Sequence, residues 1–370
     1  MRIPSLSRRT WTMSAVAAAA ALVCVAVMLV PVTREGVLDA WCEVTGRGCT
    51  RLEDPRRDDD GASGWRERLT PEEAAAWGNY VALGDSYSSG QGAGDYIEGT
   101  LGEDGCRRSE NAYPKRVARS FDFAGQLGFY ACSRQRGASM LESLEEADSQ
   151  IGRVDAHTSL VTIGIGGNDL GFTKVLRECM VRVPLMDATA CSDQEEDIER
   201  RMRHFDDTLE DIVEEIRDRA PDARILVVGY PRIFPADPSG MYYTLAPDDQ
   251  EWLNELLKRF SSRVRDKVAG LDSRIVEDRQ TGSVEFVRMY TAIKGHEVGT
   301  EEPWLNGVVL GGFAQGVEVG HGTFHPNAGG HKAFSERILR QLEEGPERPL
   351  YVAQETLEGA EPDVLAGELD

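Results

Sequence analysis

Three short motifs carry the residue types that acyl transfer needs. The first, Gly84-Asp85-Ser86-Tyr87-Ser88-Ser89-Gly90, offers a hydroxyl nucleophile. The second, Gly166-Gly167-Asn168-Asp169, offers a side-chain amide as an oxyanion donor. The third, His321-Gly322-Thr323-Phe324-His325-Pro326-Asn327, offers an imidazole base. A serine is a weak nucleophile until a base takes its proton, and the tetrahedral intermediate needs N–H donors aimed at its oxyanion. Each residue also has a plainer reading. A serine after a strand commonly caps a helix, and an asparagine in a glycine-rich stretch commonly makes a turn. The Gly-x-Ser-x-Gly elbow of α/β-hydrolases is absent, because Ser88 stands where its second glycine would be. Among the other histidines, His296-Glu297 lacks a second His four residues on, so it is no zinc-protease motif. His321 reads as a loop residue, and His157 and His204 have no partner signature.

The elements that must position these residues are legible in outline. Apolar runs at Tyr80–Leu83, Phe129–Cys132, Leu160–Ile165, Arg224–Val228 and Val284–Met289 predict buried strands. Between them, helical spacing over Asp197–Ala220, Glu251–Leu271 and His331–Leu342 predicts amphipathic helices, the first stopped by Pro221. Alternating strands and helices imply an α/β fold, a three-layer parallel sheet with helices on both faces. Ligands of such sheets bind at the carboxyl ends of the strands, where the Ser86 and Asn168 turns fall. There is no internal repeat.

The ends differ in composition. Residues 1–10 carry Arg2, Arg8 and Arg9, and an uncharged stretch rich in Ala, Val and Leu follows. Its length suits a membrane span, and the basic flank predicts an N-terminus in the cytoplasm with the rest outside. The expectation is a single-pass anchor over residues 11–33, with a cleaved secretory signal as the alternative. Residues 34–77 read as a charged stalk, 78–344 as one catalytic domain, and 345–370 as a disordered acidic tail. The 370 residues carry a net charge of −22, from 41 Lys+Arg against 63 Asp+Glu. That excess argues against a nucleic-acid partner. With Cys24 in the apolar run, six cysteines remain outside it and no C-x-x-C pair occurs, which favours disulfides over zinc. Neither metal nor cofactor is implied, and a monomer is expected.

Taken together, Ser86, Asn168 and His325 in these contexts resemble the GDSL, or SGNH, hydrolase family, nearest to its secreted actinobacterial esterases and lipases. Tyr113-Pro114, Ala131-Cys132-Ser133, Trp304-Leu305-Asn306-Gly307 and Gly330-His331 extend the likeness over roughly Asn79 to Leu342. The resemblance implies a flavodoxin-like sheet and a serine ester hydrolase with Ser86 as nucleophile and His325 as base. Its oxyanion hole would use the Asn168 side chain and the backbone N–H groups of Ser86 and of residue 134. The family usually has glycine at that last place, and here it is Arg134. Many members have Asp three residues before the base; here that position is Gly322, whose carbonyl would hold the His325 ring. A Ser–His dyad follows, with Asp85, Asp169 and His331 structural. The resemblance also pairs Cys106 with Cys132 and Cys179 with Cys191; Cys42 and Cys49 lie outside the domain and could close a small loop of their own. Phospholipids, polysaccharide O-acetyl esters and small esters all fit this scaffold. A non-catalytic cell-surface binding protein is the reading from another class, suggested by Arg134 and the missing Asp.

Overall fold

The computed structural model describes residues 65–101, 105–144, 146, 149–180, 191–311 and 318–360. The expected anchor at 11–33, Cys24, Cys42, Cys49 and the last ten residues lie outside this range. Among the described residues no helix is long and apolar enough to cross a membrane.

In chain order the elements are β1 (Arg66–Leu69), α1 (Pro71–Ala76), β2 (Asn79–Gly84), α2 (Ser86–Ser89), α3 (Tyr113–Ser120), β3 (Leu127–Phe129), α4 (Gly137–Glu142), β4 (Thr158–Gly164), α5 (Phe172–Met180), α6 (Glu195–Arg219), β5 (Arg224–Val228), α7 (Pro247–Glu277), β6 (Ser283–Val287), β7 (Leu310–Gly311), β8 (Glu318–Val319), α8 (Ala328–Glu344), β9 (Leu350–Ala353) and α9 (Gln354–Gly359). The central sheet has the order β3-β2-β4-β5-β6, and every pairing in it is parallel. This is the flavodoxin-like order, with its topological switch between β2 and β4. The two strands that deliver the Ser86 and Asn168 turns are therefore neighbours at the crevice.

Every residue of β2, β4 and β5 is buried, as strands covered on both faces must be. Most of the polar side chains among them are bonded. Thr162 meets the Tyr80 hydroxyl at 2.8 Å, and Ser159 donates to the Ala75 carbonyl at 2.7 Å. Helices α1, α3 and α8 pack together on one side, and α4, α6 and α7 on the other. On α6, Ile198, Met202, Phe205, Leu209, Ile212, Val213 and Ile216 form the buried stripe. Its acidic outer positions are not merely solvated. Arg263 and Lys267 of α7 pair with Asp206 and Glu210.

Two expectations are corrected. Residues 66–76 are not stalk, and 350–359 are not disordered tail. β1 pairs antiparallel with β9, Arg66 opposite Ala353 and Leu69 opposite Leu350, with Leu350 and Val352 buried. Pro71 starts α1 behind a capping box in which Thr70 and Glu73 satisfy each other's backbone N–H. The folded unit thus extends beyond 78–344 at both ends. The pair escaped notice because each strand has four residues and its partner is some 280 positions away, so neither shows a period alone. The second strand is also earlier than expected: it ends at Phe129, and Tyr130–Cys132 continue as a run whose N–H groups reach Ala82 and Gly84 carbonyls.

Candidate active site

The turn after β2 is built on Gly84, at φ 126°. A Cβ there would collide with the Gly164 carbonyl and approach Ser88 Oγ at 2.6 Å, so only glycine lets β2 and β4 end this close together. Asp85 then caps the single-turn helix α2, its carboxylate accepting the Tyr87 N–H at 2.9 Å. Ser86 is the first residue of that helix, where backbone N–H groups have no intrahelical acceptor.

His325 arrives from the loop before α8. Its Nε2 lies 2.8 Å from Ser86 Oγ, and its Nδ1 lies 2.9 Å from the Thr323 carbonyl. A carbonyl can only accept, so Nδ1 carries the proton and Nε2 presents a lone pair to the serine hydroxyl. This is the base tautomer. The orienting carbonyl belongs to Thr323, not to Gly322. Gly322 instead accepts the backbone N–H of His325 at 3.1 Å. The reason is Phe324, held at φ 57°, whose left-handed backbone turns the Thr323 carbonyl toward the ring. Burial lowers the His325 pKa to about 4, opposed by the Thr323 hydrogen bond and assisted by the charges of His321 and Arg107.

Asn168 lies beyond β4. One of its amide hydrogens is spent on the Gln135 carbonyl at 2.9 Å, which fixes the side chain and leaves the other for the cavity it lines. Arg134 lines the same cavity with φ 69°, the backbone conformation a glycine would take there without strain. Asp169 is structural, accepting the Gly137 N–H at the start of α4. His331 is structural too: buried on α8, it accepts the Tyr113 N–H at 3.3 Å, and burial lowers its pKa to about 3. His296 stacks flat on Trp304, and neither His157 nor His204 reaches the cavity. Both expected disulfides, Cys106–Cys132 and Cys179–Cys191, are formed.

A hydroxyl, its base and candidate oxyanion donors therefore meet at one strand-end crevice, which is the equipment of an acylhydrolase. The sequence agrees with the geometry, since the model of the GDSL-like lipase/acylhydrolase family matches residues 82–333. The chain belongs to this family. It is a carboxylic ester hydrolase, which sets aside the non-catalytic reading. A lipase of Streptomyces rimosus is 32% identical over 256 residues, covering 68% of this chain and 82% of the relative. Lipase 1 of Streptomyces coelicolor is 30% identical over 260 residues, covering 69% and 83%. The crystal structure of phospholipase A1 from Streptomyces albidoflavus superposes with a TM-score of 0.58 at 27% identity, over 71% of this chain and 98% of that one.

Two residues of the hydrolase site had not been singled out. Tyr230, two positions past β5, donates its hydroxyl hydrogen to Asp85 and accepts the Gly167 N–H at 3.0 Å. It ties the serine turn to the asparagine turn. Asp85, buried beside it, has its pKa raised to about 7 by desolvation. Gln91, just past α2, places its amide 3.1 Å from His325 Nε2. Their signal was position alone: Tyr230 sits at the carboxyl end of a parallel strand, and Gln91 between two glycines in the serine loop. The cavity itself has a volume of about 780 Å³, and Leu170, Phe172, Leu176, Leu257 and Phe260 line it.

Proposed function

We propose that this hydrolase acts outside the cytoplasm on esters of medium or long acyl chains, through a Ser86–His325 dyad. His325 Nε2 takes the proton of Ser86 Oγ as the oxygen attacks the ester carbonyl. The Asn168 amide and the backbone N–H groups of Ser86 and Arg134 receive the oxyanion. His325 then protonates the departing alcohol, and a water activated by the same ring releases the acid. The Thr323 carbonyl holds the tautomer in place of a carboxylate.

The observation that carries this reading is the 2.8 Å approach of His325 Nε2 to Ser86 Oγ on the wall of an apolar-lined cavity. A cavity of about 780 Å³ favours a fatty acyl group over the acetyl group of a polysaccharide ester. The names of relatives, lipase and phospholipase A1, point the same way. Disulfides favour an oxidising compartment, reached by the 11–33 segment as an anchor or as a cleaved signal. All residues of the site come from one chain, so a monomer suffices.

A fluorophosphonate probe should label the protein and fail to label Ser86→Ala. Rates on p-nitrophenyl esters should rise from acetate toward octanoate. Labelling that survives Ser86→Ala removes the nucleophile assignment, and a profile highest at acetate removes the acyl-chain reading. N-terminal sequencing of the mature protein separates anchor from cleaved signal.

A further inference from the structure

Two arginines break the same backbone preference at the same place. Arg107 has φ 50° and Arg134 has φ 69°, both in the left-handed region that side chains avoid. The Cys106–Cys132 disulfide brings their chain segments together, and Ser133 donates its N–H and its hydroxyl hydrogen to the Cys106 carbonyl at 3.1 and 3.0 Å. The two guanidinium groups converge beside Gly105. A Cβ placed on that glycine would lie 2.5 Å from Arg107 Nη1 and 3.2 Å from Arg134 Nη2.

Several arginines of the domain are matched with carboxylates. Arg224 pairs with Glu285, Arg232 with Glu297 and Arg348 with Asp272. Among the described residues, Arg107 and Arg134 have no carboxylate partner; Arg107 Nη1 donates to the Gly105 carbonyl at 2.8 Å. Like charges held together repel, weakly where water screens them, and an anion beside them turns that repulsion into attraction. Arg134 lines the cavity with Ser86 and His325, and Arg107 lies next to it beside Gly105. The apolar side chains of that cavity suit an acyl chain, which leaves the charged side to the alcohol portion of the ester.

We propose that Arg107 and Arg134, clamped side by side by the Cys106–Cys132 disulfide, form an anion-reading subsite that selects esters whose alcohol carries a negatively charged group. This rests on the ester-hydrolase reading and adds the substrate's charge. Arg134 then has two parts: its N–H faces the oxyanion, and its side chain faces the leaving group.

The test compares substrates with one acyl chain and different alcohols. The first pair is 4-octanoyloxybenzenesulfonate against p-nitrophenyl octanoate. The second is dihexanoyl phosphatidylglycerol against dihexanoylglycerol, both as monomers. The quantity read is the ratio of kcat/KM, anionic over neutral, so that disturbance of the fold or the oxyanion hole cancels. Arg134→Gly and Arg107→Gly suit their backbone angles. Each should lower the ratio roughly tenfold, as loss of one charge-assisted contact does. Arg134→Lys should restore most of it, and salt should lower the ratio for the unaltered enzyme. A fall in both pairs means that any anion is read, and a fall only in the second means that the phosphate headgroup is. Ratios unchanged in both glycine variants overturn the inference while leaving the hydrolase reading intact. Failure of the unaltered protein to cleave any of the four esters overturns both.

Discussion

The two ends of the central sheet bury polar groups under opposite rules. At the amino end, Arg224 of β5 is fully buried. Its Nε and one Nη grip Glu285 of β6 with two bonds of 2.9 Å. The remaining N–H groups go to the carbonyls of Pro71, Leu342 and Gln341. Glu285 also accepts from Ser283 and Gln341. All five guanidinium donors are used, and α1, β5, β6 and the end of α8 are locked together. At the carboxyl end the same sheet delivers Ser86 and Asn168, which His325 meets from the loop before α8; among the described residues the Ser86 N–H and half of the Asn168 amide are left without a closing partner. A closed network has bonds only to lose, so it serves stability. An open one keeps capacity for charge that develops later, which is what the proposed oxyanion hole requires.

If this division holds, substitutions at the two ends separate activity from stability. The largest effect is expected from Ser86→Ala. It should lower kcat/KM on p-nitrophenyl octanoate by roughly 10⁴-fold or more, while the melting temperature barely moves. Retained turnover would place the nucleophile elsewhere.

Arg224→Met comes next and acts in the opposite sense. It strands the Glu285 carboxylate in the core and should cost about 3–5 kcal/mol in denaturant unfolding, with kcat per folded molecule unchanged. Replacing Glu285 with Leu in the same chain should recover much of that loss. A collapse of kcat with stability intact would show the two ends coupled.

Asn168→Ala sharpens the catalytic side. It removes one oxyanion donor and should lower kcat by about 10²–10³-fold. A rise in KM alone would make the amide a ground-state contact.

The smallest effect is in pH. Burial depresses the His325 pKa to about 4, so the neutral base persists through mildly acid solution and protonates only as pH falls through that value. The acid limb of kcat/KM should therefore lie near pH 4. A limb at about 6.5, the value of a free imidazole, would mean that water reaches the ring.

Much of this arrangement was legible from residues in a row. The parallel strands announce themselves because a strand covered on both faces must be apolar throughout, as Leu160–Ile165 is. The long stripe of α6 was readable because a helix repeats its buried face locally. The disulfide pairing came through the family likeness. What escaped was set by partners distant in sequence. Leu350–Ala353 becomes a strand only against Arg66–Leu69, and a tail rich in acids and prolines gives no hint of that edge. Tyr230 joins Asp85 to Gly167 across 145 and 63 positions, which no local pattern encodes. The exchange of Thr323 for Gly322 as the carbonyl that steers His325 depends on one backbone angle, at Phe324.

By itself, the sequence determined the chemistry available: a serine, an amide and a histidine in turns that an α/β sheet places at its strand ends, with apolar runs sufficient to bury that sheet. Side-chain types and short-range periodicity fix those matters, because they follow from each residue and its near neighbours. The tertiary structure alone decided which lone pair faces which proton, which arginines meet a carboxylate, and where the domain ends. Those depend on distances of about 3 Å between groups that are mostly tens to hundreds of residues apart, and only the packed chain sets them.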